Sequence, residues 1–110
     1  MIFYPDLFLT DSTKKEYKKL IPRLKKEIRD IDVFLVTLST DISGVFDIVD
    51  YKTMFLSVGN IELLKDLVVI GLGSDYDDAK ELALSIVSSY YASGVSGDIR
   101  DYFRSQLNCN

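Results

Sequence analysis

Leu67-Val68-Val69-Ile70-Gly71-Leu72-Gly73-Ser74-Asp75-Tyr76-Asp77-Asp78-Ala79 is the stretch whose reading decides the fold. Its first half is the longest apolar run in the chain and has strand length. A β-branched run of this kind suits a central strand covered on both faces. Its second half turns polar within three residues. Ser74 with Asp77 fits a capping-box variant, and Asp75, Asp77 and Asp78 suit the positive end of a helix dipole. Ala79, Leu82, Ala83, Ile86, Val87 and Tyr90 follow at helical spacing, and Gly94 is a natural stop.

Working outward, Ile31 to Leu38 reads as a second central strand, and Val45 to Val49 as its antiparallel hairpin partner beyond a polar turn at Ser39 to Gly44. Tyr51 to Val58 reads as a short helix ended by Gly59-Asn60, and Ile61 to Leu64 is ambiguous. Ser96 to Asp98 starts a last helix with Ile99, Tyr102, Phe103 and Leu107 on one face. Upstream, Leu7 to Thr10 reads as a short edge strand, a place where the nearby Pro5 is tolerated. Thr13, with Glu16 three residues on, is the better helix cap than Ser12. Tyr17, Leu20, Ile21, Leu24 and Ile28 then form a helical stripe interrupted by Pro22, so a kink or two short helices are expected. The resulting order is α-β-β-α-β-α-α: an α+β chain with a three- to four-stranded mixed sheet and helices packed on it.

The 110 residues contain 47% hydrophobic and 27% charged residues, with no histidine and one cysteine. This is ordinary composition for one domain, read as spanning residues 1–110. No run reaches membrane-spanning length and no signal peptide is read, so a cytoplasmic protein is expected. Lack of histidine excludes Ser-His-Asp and Cys-His catalysis and His-containing zinc sites, and a single cysteine excludes a four-cysteine site. Cys109 is read as an inert thiol.

Gly71-Leu72-Gly73 sits where a dinucleotide fingerprint would sit. The pattern fails at Tyr76, and three aspartates would repel a phosphate from the helix start. A tight strand-to-helix turn is the plainer reading. An EF-hand loop counted from Asp75 would place Lys80 at the glycine and Ile86 at the last ligand, so capping accounts better for Asp75, Asp77 and Asp78. No catalytic residue, metal ligand or cofactor is expected. Tyr90, Tyr91, Tyr102 and Phe103 concentrate aromatic area, mostly as core, with one or two left over for an interface.

Charge segregation is the most informative feature. Residues 13 to 29 hold Lys14, Lys15, Lys18, Lys19, Arg23, Lys25, Lys26 and Arg29 against Glu16 and Glu27, a net +6. The remainder carries −10, giving the chain its −4. Three readings follow: a solvated outer helix face, a surface complementary to the acidic body of another copy, or a nucleic-acid or anionic-lipid contact. The acidic body opposes the last. The expectation is a non-enzymatic accessory protein that self-associates through this face, first as a dimer, with a protein partner as a variant. The alternatives are nucleic-acid binding through residues 13–29 and a carboxylate enzyme.

The run from Asp66 to Ala79, with Val36-Thr37-Leu38 and Phe46-Asp47-Ile48 before it, resembles a family of small uncharacterised bacterial proteins. Their pattern is a strand ending in V-x-G-I/L-A/G, then an acidic turn and a helix. The resemblance spans residues 31 to 103 and implies no activity.

Overall fold

The structure is a computed structural model and describes residues 1–28, 30–39, 44–57, 66–94 and 97–108. Four strands form one mixed sheet: β1 (Ile2–Leu9), β2 (Phe34–Leu38), β3 (Phe46–Asp50) and β4 (Val68–Gly73), in the order β1-β4-β2-β3. The helices are α1 (Asp11–Lys14), α2 (Tyr17–Lys25), α3 (Tyr51–Ser57), α4 (Tyr76–Ala92) and α5 (Ile99–Asn108). The mixed sheet with helices packed on it is the α+β architecture expected.

The two most apolar strands, β4 and β2, are the central pair, as the hydrophobic effect demands of segments apolar on both faces. They pair antiparallel, and β2 also pairs antiparallel with β3. β4 therefore runs in the direction of β3, while its parallel pairing is with β1. One side of the sheet buries Val69, Leu72 and Leu35 against Leu20 and Leu24 of α2 and Tyr51 and Met54 of α3. The other buries Ile70 and Leu38 against Ile86 and Tyr90 of α4 and Ile99 and Phe103 of α5. These two apolar layers make the molecule a three-layer sandwich.

A register shift links sequence to packing. Val36 lies opposite Gly71 and Thr37 opposite Val69, so Ile70 is the extra residue of a bulge. Ile70 and Gly71 consequently both point towards α4. A Cβ on Gly71 would lie 2.8 Å from Leu82 Cδ2, and one on Gly73 would lie 2.6 Å from the Ala79 backbone. The G-x-G step thus lets α4 press onto the sheet, which is a packing reason for the motif.

The N-terminal region departs from expectation. β1 covers Ile2–Leu9 rather than only Leu7 to Thr10, and it holds Pro5 within it. Phe3 pairs with Val69 and Phe8 with Gly71, so residues 4–7 bow away from the ladder where proline cannot donate. The cap of α1 is Thr10, whose side chain accepts from the Thr13 N–H while the Thr13 hydroxyl accepts from the Thr10 N–H. Thr13 is the other half of this reciprocal box, not its start. The helical run breaks at Lys15 and Glu16, and Pro22 lies inside α2 instead of opening a second helix. α2 stops at Lys25, short of Ile28. The Ile28 N–H donates to the Arg23 carbonyl and the Glu27 N–H to the Leu24 carbonyl, with Glu27 at φ 57°. This is a Schellman stop with glutamate in the left-handed position. It leaves Ile28 exposed, and Tyr17 at the other end of α2 is exposed too.

Smaller differences concern element ends. β2 begins at Phe34, although Ile31 and Val33 are buried before it. The cap of α4 is Asp75, which accepts from the Asp78 N–H, rather than Ser74 paired with Asp77. Arg29, the turn residues 40–43, the segment 58–65 with Gly59-Asn60 and Ile61 to Leu64, Ser96 and Cys109 lie outside the described residues.

Candidate interaction surface

The basic run is anchored by two leucines. Leu24 is fully buried and Leu20 nearly so, each contributing about 1.5–3 kcal/mol of apolar transfer. With Ile21 half-buried beside them, the inward stripe of α2 is filled and its charges must face water. Lys14, Lys15, Lys18, Lys19, Arg23, Lys25 and Lys26 are all exposed. Among the described residues, only Lys14 of this group has a carboxylate within ion-pair reach, Asp11 at 3.8 Å, in a solvent-exposed pair. The others are cations without an acidic partner among the described residues.

Their placement is directional. Lys25 and Leu24 share a hollow with Met1 and Phe3, so the last turn of α2 sits beside the amino end of β1. The carboxyl ends of β1, β3 and β4 meet the amino end of β2 at the other end of the sheet, where Leu9 pairs with Leu72 and Phe34 with both Gly73 and Asp50. Aspartates gather there from four chain segments: Asp11, Asp30 and Asp32, Asp50, then Asp75, Asp77 and Asp78. The structure therefore has an acidic pole and a basic helix that leads away from it.

Several of these carboxylates do structural work. Asp78 Oδ2 accepts from the Thr10 hydroxyl at 2.6 Å, the Ser74 N–H at 2.8 Å and the Ser74 hydroxyl at 3.0 Å. It thereby ties the end of β1 to the start of α4. Burial pushes the Asp78 carboxyl upward, but the bonds from Ser74 and Thr10 outweigh this and hold it below the ordinary aspartate value. Lys52 bridges Asp30 at 3.2 Å and Asp32 at 3.3 Å, and bonds to those two carboxylates, Asp30 first, raise its pKa. Asp50 accepts from the Lys52 N–H and the Thr53 hydroxyl at the start of α3. Asp77 has no such bond among the described residues and, like Asp75, is exposed.

The hollows on the surface differ in what lines them. A cleft of about 220 Å³ is lined by Tyr4, Phe8, Tyr90, Tyr102 and Phe103 with Ser89 and Ser93. Tyr4 and Phe103 meet edge to face at 5.1 Å between centroids, so these rings are mainly packing partners. A groove of about 640 Å³ lies between the bowed part of β1 and α2, with Asp6 on its wall. The hollow at Met1 has Glu27. None of the three brings two carboxylates together. Among the described residues, no group of three acidic, cysteine or histidine side chains is placed to hold a metal ion. No helix among them is long and apolar enough to cross a membrane.

The basic face was visible from sequence because its cations are consecutive. The acidic pole was not, because its members are scattered from 11 to 78. The signal that could have found it is an aspartate within four residues of one end of every strand. No protein-family model, curated protein or solved structure matches this chain.

Proposed function

We propose that the protein is a non-enzymatic interaction module that self-associates, the basic face of one copy meeting the acidic surface of another. The observation that carries this is the row of exposed cations from Lys15 to Lys26 without an acidic partner on the described part of the chain. A chain of net charge −4 with a +6 segment holds both halves of a complementary pair, and complementary potentials steer association and fix its geometry. With one cysteine, at position 109, we place this activity in a reducing compartment such as the cytoplasm.

Static light scattering over a salt series tests the proposal. The apparent mass should exceed that of one copy at low salt and fall towards it as salt shortens the Debye length below about 5 Å. Lys18→Glu combined with Lys25→Glu should give one copy at every salt concentration. A wild-type chain that stays monomeric at high concentration and low salt refutes the reading. The same exposed cations favour a second reading, nucleic-acid binding, which the acidic pole opposes. It requires retention on nucleic acid that falls steeply with salt and is lost in the double variant.

A further inference from the structure

We infer that the contact is head-to-tail: the last two turns of α2 in one copy dock on the acidic pole at the carboxyl ends of β1, β3 and β4 in the next. This rests on the self-association reading above and specifies which surfaces meet. The occupant is a second copy because the charges match. Arg23, Lys25 and Lys26 are exposed at one end of the molecule, and Asp32, Asp75 and Asp77 are exposed at the other.

Distance keeps the two ends from satisfying each other within one chain. Ile2 pairs with Val68 and Leu9 with Leu72, so the hollow at Met1 and the pole beyond Leu9 are separated by four steps of β4, roughly 13 Å. That is longer than the Debye length of about 8 Å at physiological salt, so their mutual attraction is screened. Each end also carries an exposed large apolar side chain that can desolvate on contact. Tyr76 lies between Asp75 and Asp77 and is 51% exposed, with its ring edge on Phe34. Ile28, just past the end of α2, is 38% exposed beside Lys25 and Lys26. Tyrosine flanked by charges is the composition of an interface anchor.

The topology follows from this placement. A two-fold dimer buries the same patch on both partners, so it needs the basic and acidic surfaces side by side. Here they lie at different ends of the sheet. One copy can use its basic end while its acidic pole stays open for another copy. Assembly therefore continues past two, into a chain or a closed ring.

Sedimentation of the full chain at low salt tests this with two neutralising variants. One carries Arg23→Gln, Lys25→Gln and Lys26→Gln. The other carries Asp32→Asn, Asp75→Asn and Asp77→Asn, with asparagine keeping the cap of α4. Circular dichroism confirms that both fold. Wild type should grow beyond two copies with concentration. Each variant alone should be monomeric, with association weakened at least tenfold. Their equimolar mixture should stop at a one-to-one pair, because one native contact remains. A wild type that stops at two copies, or an aspartate variant that associates like wild type, overturns the head-to-tail contact and leaves self-association standing. A monomeric wild type removes both.

Discussion

Gly73→Ala turns the packing of α4 into a measurable sign. The new Cβ would lie 2.6 Å from both Ala79 N and Ala79 Cα and 2.7 Å from Ala79 Cβ. Ordinary carbon contacts begin near 3.5 Å, so the helix start must retreat by roughly 1 Å. All three atoms belong to a backbone or a Cβ, and no side chain can swing aside. Overpacking of this kind costs about 1–3 kcal/mol. The opposing term is a gain of about 0.4–1 kcal/mol from reduced chain entropy, because the position does not need a left-handed backbone. The net expectation is a loss of about 1.3 kcal/mol, which lowers Tm by roughly 5 °C in a chain of this size. Gly94→Ala is the control. Nothing lies within 4 Å of its Cβ, but its φ is +76°, so the loss is about 1 kcal/mol from backbone strain alone. Thermal unfolding followed by circular dichroism measures both. A neutral or stabilised Gly73→Ala would refute the account of the G-x-G step as a packing device.

Glu27→Gly should stabilise the chain by about 1 kcal/mol, since glutamate pays for the left-handed C-terminal position of α2 at φ 57°; urea midpoints report it. Leu24→Ala should cost about 3 kcal/mol by the same assay, because its side chain is fully buried in the layer under α2. Asp78→Ala should cost about 2 kcal/mol at pH 7, as three donors lose one acceptor. Its pH dependence has a definite sign. The folded carboxyl titrates below its unfolded value, so its contribution is full above about pH 4 and is lost as pH falls through the folded value. Wild type and variant should therefore converge in stability in strong acid; a difference that persists there, or that shrinks as pH rises above neutrality, contradicts the Asp78 clamp.

Local chemistry made much of this fold legible. The runs at Leu67 to Leu72 and Ile31 to Leu38 marked the central strands, because only a strand apolar on both faces belongs inside a three-layer stack. The stripe through Leu20, Ile21 and Leu24 marked the inward side of α2, and so placed its lysines outside. Where reading failed, two local signals competed. Pro5 argued for a broken strand, yet an edge position let residues 4–7 bow out while the flanks stayed paired. Ile28 continued the helical spacing, but the Schellman stop at Glu27 ended α2 first.

The sequence by itself determined which segments must be buried, which helix is basic and which chemistries the residue set excludes, since each depends on neighbours along the chain. Only the tertiary structure decided that β1 joins the sheet beside β4, that Ile70 bulges so that Gly71 faces α4, and that aspartates from four segments share one end of the molecule. These depend on strand order and register, which are fixed by burial of whole faces against one another and leave no trace in any single stretch of residues.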